Sequence, residues 1–127
     1  NPWDSFAKNG FGRSANEVIK TVFPVDPPTF YQTPFGDHDS AELMSRTQAA
    51  GFHDVKVESV AFESMSESAG HFAVGLVRGN PVALAITERG TVTHEEVEQK
   101  IAEVLRRELG DRPVRVPLQS WVVTATA

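Results

Sequence analysis

Ala50-Gly51-Phe52-His53-Asp54-Val55-Lys56-Val57-Glu58-Ser59-Val60-Ala61-Phe62 is the stretch in which the chain changes its period. Before it, Leu43, Met44 and Thr47 fall at helical spacing. After it, Val55 to Phe62 is rich in β-branched residues and roughly alternating, which predicts a strand with one wet edge or face. Gly51 separates the two, because a glycine at the C′ position takes the left-handed backbone that ends a helix. Phe52 follows as the apolar contact such an ending favours. A helix, a stop and a strand within so short a span point to a mixed α/β chain.

Upstream, Asp39-Ser40-Ala41-Glu42 reads as an N-cap with a reciprocal Glu at N3, so that helix starts beside Asp39. Pro24, Pro27, Pro28 and Pro34 precede it, with Phe30, Tyr31 and Phe35 between them. Proline lacks the amide that helix and central strand need, so an ordered, extended loop over the protein body is expected here. Ala15, Val18, Ile19, Val22 and Phe23 place a helix from Ser14, which Pro24 ends. Residues 1–13 read as a turn leading into it.

Downstream, Phe72, Val74, Leu76 and Val77 and then Val82, Leu84 and Ile86 predict two short helices. Gly79 stops the first, Asn80 caps the second with Pro81 at its first position, and Gly90 closes it. Thr93-His94-Glu95-Glu96 is a capping box opening a helix with Val97, Ile101, Val104 and Leu105 on one face, ended by Gly110. Val114 to Thr124 is a long terminal strand, with Pro113 and Pro117 placing its start at a sheet edge or bulge. The expected architecture is a single domain over 1–127 in which two antiparallel strands are covered by about five helices. Two strands make a poor sheet alone, so other residues are expected to complete it.

The totals restrict the partners. With 127 residues, 40% hydrophobic and 23% charged, the chain suits one soluble core. The absence of cysteine excludes thiol chemistry and disulfides and accords with a cytoplasmic setting. A formal charge of −5, with scattered basic residues, argues against nucleic acid. No apolar run approaches the roughly 20 residues of a membrane span, so no membrane association is expected. The chain opens Asn1-Pro2-Trp3-Asp4 rather than with Met, from which we expect that residues were removed from its front or that it was cut from a longer protein.

Taken in order, these features resemble the C-terminal part of class I S-adenosylmethionine (SAM)-dependent methyltransferases of the ubiquinone/menaquinone-biosynthesis type, also described as methyltransferase type 11-like. Trp3-Asp4 is similar to the close of that family's fifth strand, and Phe23-Pro24 to Pro34-Phe35-Gly36 to its proline-aromatic stretch. Ala50-Gly51-Phe52 and Val55 to Phe62 resemble its helix end and sixth strand. Phe72 to Ile86 resembles a helical insert, and Thr93 to Leu109 with Val114 to Thr124 the closing helix and seventh strand. The resemblance implies a Rossmann-like sheet in which the seventh strand lies between the fifth and the sixth. It also implies a parent enzyme that methylates a small, apolar or aromatic acceptor. None of the nine glycines forms the glycine-rich turn with which the family binds SAM. SAM is therefore expected only in the intact parent, and the chain alone is expected to be inactive and to bind no cofactor.

Five residues are candidates for the acceptor site: Trp3, Phe30, Tyr31, Phe35 and His38. Trp3 faces the acceptor if the resemblance holds, or else packs at the chain end. The loop aromatics line a pocket or anchor the loop. His38 is a substrate-side proton acceptor or a surface histidine. Asp37-His38-Asp39 lacks a second histidine at metal-ligand spacing, and no metal is expected. His71 enters a pocket or stays partly exposed beside Phe72, while His53 and His94 read as structural. No Gly-x-Ser-x-Gly elbow exists, and no catalytic residue is assigned. The alternative is a non-enzymatic ligand-binding or dimerisation module. A homodimer through the exposed terminal strand is expected of the methyltransferase portion as well.

Overall fold

A computed structural model describes residues 1–127. Its sheet is built from β1 (His53–Ser66) and β2 (Val114–Thr126), which pair antiparallel from Lys56↔Thr124 through to Ser66↔Val114. A third, very short element joins them. Trp3 bridges Ser120 in antiparallel sense, the Asp4 amide donates to the Gln119 carbonyl at 3.0 Å, and the Trp121 amide donates to the Pro2 carbonyl at 2.9 Å. β2 therefore lies between Pro2–Asp4 and β1 and runs against both.

Side chains alternate across a strand, so the register decides what each face carries. One face gathers Val60, Phe62, Ser64 and Ser66 with Val114, Val116, Leu118, Ser120 and Val122. The other gathers Val55 and Val57 with Trp121 and Val123. Val114 and Val116 are fully buried, and β2 meets α5 (His94–Leu109). α2 (Ser40–Ala49) packs against both strands, and the His38 carbonyl just before it accepts from Trp121 Nε1 at 2.9 Å.

The helices share one core. Ala15, Val18 and Ile19 come from α1 (Gly10–Val22), and Ala69, Ala73, Leu76 and Val77 from α3 (Ala69–Arg78). Val82 and Ile86 come from α4 (Val82–Arg89), and Val97, Ile101, Ala102 and Leu105 from α5. Each set falls three or four residues apart, the spacing that puts side chains on one helix face. Burying each large aliphatic member contributes about 1.5–3 kcal/mol. α3 and α5 are also pinned by charge, since Arg78 Nε meets the buried Glu98 carboxylate at 2.6 Å.

The caps follow their sequence signals closely. Thr93 and Glu96 form the reciprocal capping box, and the Asp39 carboxylate accepts from the amides of Ala41 and Glu42. Glu42 does not return the bond and turns toward Arg46 at 3.8 Å. At the other end of α2 the Gly51 amide donates to Gln48 and the Phe52 amide to Thr47, with Gly51 at φ 94°. These are the paired bonds of a Schellman ending. Phe52 nevertheless stays 43% exposed, because the chain turns directly into β1 at His53.

Four expectations are corrected. α1 begins at Gly10 rather than Ser14, because Asn9 and the aromatic contacts of Phe11 hold a first turn that two glycines disfavour. The proline-aromatic segment is not wholly extended, since Phe30–Phe35 forms a 3-10 helix with Pro34 inside it. In that tighter helix the Gln32 and Gly36 amides carry bonds that need nothing from Pro34. Asn80 does not cap α4. Its Nδ2 donates at 2.8 Å to the Leu76 carbonyl in the last turn of α3, an acceptor it shares with the Tyr31 hydroxyl, and Pro81 stands in the N-cap position. Both strands also run longer than the Val55–Phe62 and Val114–Thr124 expected, as pairing carries weakly patterned residues along.

Asp111 ties the start of α3 to the end of α5. Its Oδ1 accepts from the buried Ala69 amide at 2.8 Å and its Oδ2 from Arg106 Nε at 3.1 Å. The Ala69 amide first, and then Arg106, hold this carboxyl below its ordinary 3.8. A carboxyl depressed in the folded state stabilises it above the unfolded value and loses that contribution as pH falls through the folded one. Asp111→Asn is therefore expected to lower the melting temperature at pH 7, with the difference from wild type shrinking below pH 3.8. Thermal melts across pH 2 to 7 check this. A difference independent of pH would refute the assignment.

Candidate functional site

Where Pro2–Asp4 and β1 end, the molecule opens into an apolar cleft of about 340 Å³. The strands supply one wall. Ser64 and Ser66 close β1, Leu118 sits opposite Phe62, and Trp3 sits opposite Ser120. α3 supplies the other, with His71, Phe72, Gly75 and Leu76 at the i, i+1, i+4, i+5 spacing of one helix face. Ser68 starts that helix, its Oγ accepting from the His71 amide at 3.1 Å, and so sets where His71 and Phe72 point.

Phe11 of α1 completes the lining and organises the aromatic cluster. Its ring stands edge-on to Phe72 at 5.8 Å, to Trp3 at 6.2 Å and to Phe35 at 5.9 Å. Edge-to-face pairs of this kind hold ring orientation as well as burying area. Trp3 is further fixed through its backbone, because Asn9 ties Asp4 to β2. Asn9 is fully buried, and its Nδ2 donates to the carbonyls of Asp4 and Gln119, each at 2.9 Å. Its Oδ1 accepts from the Gln119 amide, and Gln119 Nε2 donates to Asp4 Oδ2.

Of the five residues expected at the acceptor site, Trp3 lines this cleft. Phe35 lies behind it, buried, with its ring 4.8 Å from Phe6. Tyr31 is buried against α3, where its hydroxyl donates to the Leu76 carbonyl at 2.6 Å. Burial raises the Tyr31 pKa well above the ordinary phenol value, so the hydroxyl stays protonated as a donor. Phe30 packs edge-on to Tyr31 at 5.4 Å. His38 is exposed, with Nδ1 at 2.9 Å from the Phe35 carbonyl and its own carbonyl taken by Trp121 from the opposite sheet face. Asp37 pairs with Arg46 at 3.0 Å and Asp39 caps α2, which leaves that acidic pair occupied in structural contacts.

The residues that sequence reasoning did not single out are Phe11, Ser64, Ser66, Gly75, Leu76 and Leu118. Only their long-range placement brings them together. His71 and Phe72 were legible as an alternative, a histidine entering a pocket beside an aromatic.

Three other grooves are larger, about 530 Å³ between α3 and α5, about 360 Å³ between α1 and α5 and about 440 Å³ beside α2. The first two are valleys between helices, floored largely by charged side chains, and the third is bordered by the Asp37–Arg46 ion pair. Glu95 and Glu98 are already taken by Arg78, and Arg106 by Asp111. The smaller cleft has the more suitable chemistry and position, since ligands of open α/β sheets bind outside the carboxyl ends of the strands.

The three positive-φ glycines, Gly51, Gly90 and Gly110, each end a helix, and none forms a turn from a strand into a helix. Comparison with protein-family models gives no match for this sequence, and comparison with curated proteins gives none either.

Proposed function

We propose that this chain is the C-terminal, acceptor-side portion of a Rossmann-like, SAM-dependent methyltransferase acting on a small apolar or aromatic molecule in the cytoplasm. One observation carries the reading. β2 lies between Pro2–Asp4 and β1 and is antiparallel to both, so the outer two elements run parallel. This is the order and sense that the resemblance implies for the fifth, seventh and sixth strands. The cleft at the carboxyl ends of the parallel pair supports the same reading.

In this proposal SAM supplies the methyl group from a site built by other residues of the parent protein. The present chain contributes an apolar wall that excludes water and orients the acceptor, which is much of what an in-line transfer requires. Calorimetric titration with SAM tests it. The polypeptide encoded by the full reading frame is expected to bind SAM at micromolar strength, and this chain alone is expected not to bind. Micromolar SAM binding by the chain alone, or none by the full polypeptide, would overturn the reading.

A dimerisation module is the second reading, favoured by the sheet edges. β1 is unpaired along its outer edge, and Val60 and Phe62 are 43% and 49% exposed on the adjoining face. Pro2–Asp4 covers β2 only at Gln119–Trp121, so part of the terminal strand's edge remains open for a second copy. Light scattering on the chain alone distinguishes the outcomes: a dimer is expected, and a monomer at micromolar concentration removes this reading. No helix is long and apolar enough to cross a membrane.

A further inference from the structure

We propose that a second copy of this chain docks on the outer edge of β1, antiparallel and about a two-fold axis at Ala61, so that the two sheets become one. The backbone presents that edge ready to pair. Around the Trp3–Ser120 bridge the Asp4 amide donates to the Gln119 carbonyl and the Trp121 amide to the Pro2 carbonyl. The polar groups of Gln119 and Trp121 therefore point toward the chain start, and those of Ser120 point toward β1. Ser120 is opposite Val60, so Val60 and Phe62 bond inward while Ser59, Ala61 and Glu63 turn their amides and carbonyls outward, with no strand beyond them. Edge strands are ordinarily blunted by proline, a bulge or short length. β1 has no proline, and its one irregularity lies between His53 and Lys56, ahead of the stretch concerned. From Glu58 to Glu63 every residue is exposed.

The side chains specify the occupant, because the edge is complementary to itself. An axis at Ala61 sets Val60 against Phe62 of the second copy and Val57 against its Met65, and symmetry repeats both pairs. Val60, Phe62 and Met65 are the large apolar side chains that one copy leaves exposed on β1, at 43%, 49% and 62%. Each gains an apolar neighbour. The Val60–Phe62 pairs fall at the non-hydrogen-bonded positions, where side chains approach most closely. The charges meet only hydroxyls, with Lys56, Glu58 and Glu63 facing Ser66, Ser64 and Ser59 of the second copy. Moving the axis one residue toward Val60 sets Glu58 against Phe62 and Glu63 against Val57. Moving it one residue the other way sets Val60 against Ser64 and Met65 against Ser59. The inference deepens the dimerisation reading on which it rests, choosing the β1 edge over the open part of β2 and fixing the register. It requires nothing of SAM.

The chain has no cysteine, so a single-cysteine variant carries one spin label per copy. Sedimentation of the wild type at micromolar concentration is expected to give a dimer. Pulsed dipolar spectroscopy should place the labels about 34 Å apart in Lys56→Cys and about 20 Å apart in Glu58→Cys, from a strand rise of roughly 3.4 Å per residue on either side of the axis. Each residue by which the axis shifts changes both separations by about 7 Å, so the pair of distances reads the register. Ala61→Pro removes an outward amide and spares the bonds to β2. Val60→Lys sets an ammonium against Phe62 of the second copy and serves should the proline variant fail to fold. Each is expected to raise the dimer dissociation constant by about tenfold or more, since symmetry applies the loss twice, while circular dichroism stays that of the folded chain. A monomeric wild type removes this inference and the dimerisation reading together. A dimer with other label separations, or one that a folded Ala61→Pro or Val60→Lys leaves intact, overturns this inference alone. The SAM titration of the full polypeptide is unaffected by either result.

Discussion

Replacing Asn9 with Ala is expected to lower the stability of the fold by about 3 kcal/mol and to release Trp3 from the sheet. Asn9 has no exposed surface, and its amide group serves Asp4, Ser5 and Gln119 at once. Truncation leaves the Gln119 amide and the Asp4 carbonyl without partners where water has little access, while the Gln119 carbonyl keeps only its bond from the Asp4 amide. Each such group costs about 1–3 kcal/mol, and partial solvation after the chain end loosens keeps the total near the lower part of the sum. Urea denaturation monitored by circular dichroism measures the loss. Loss of the Trp3–Phe11 contacts in NMR shows whether Pro2–Asp4 has detached. A loss below about 0.5 kcal/mol, the ordinary range for an uninvolved surface position, would mean the network does not hold the third element. Asn9→Asp separates shape from hydrogen bonding. It keeps the volume but sets a carboxylate against carbonyls, and it should be no better tolerated than Ala.

Gly→Ala at positions 12 and 75 is expected to act in opposite directions. Both residues lie inside helices, where alanine is favoured by about 1 kcal/mol. At Gly12 a new Cβ would stand 2.5 Å from two ring carbons of Phe35 and 3.3 Å from Phe6. Phe35 cannot simply yield, because Phe6, Phe11 and Trp3 surround it. Overpacking of this kind outweighs the helix gain, and Gly12→Ala should cost a net of about 2 kcal/mol. At Gly75 the added methyl meets nothing, so Gly75→Ala should stabilise by about 1 kcal/mol. Chemical denaturation of both variants provides the comparison. Combining Gly12→Ala with Phe35→Leu should cost less than the sum of the two, as expected of residues in contact. A neutral Gly12→Ala would place Phe35 elsewhere than over α1.

Much of the fold was legible because its signals are local. Thr93 and Asp39 announce helix starts through bonds to amides two or three residues away. Gly51 and Gly90 announce endings through a backbone conformation that their neighbours avoid. The alternation around Val55 to Phe62 required only the strand itself. What could not be read depends on partners distant in sequence. Asn9 looks like a turn residue until Gln119 is placed beside it, and Asn80 serves the helix behind it because the carbonyls of its last turn lie within reach. Four prolines suggested an extended segment, yet a 3-10 helix needs few amides and accommodates Pro34. The site divides similarly. Trp3 was identified from its likeness to a strand end, while Phe11, Ser64 and Leu118 are ordinary residues that only the strand register and α3 bring to one cleft. Aromatic richness pointed to Phe30, Tyr31 and Phe35, which pack behind the cleft or against α3 rather than at its surface.

The two long strands are separated by the whole helical segment α3 to α5, even at their nearest pair, Ser66 and Val114. During synthesis β1 leaves the ribosome well before the strand it pairs with, carrying Val60, Phe62 and Met65 with neither edge satisfied. The helices, whose contacts are closer along the chain, are free to collapse first. Until Val114 to Thr126 emerges, the nascent polypeptide is open to aggregation along β1, and faster delivery of β2 shortens that exposure.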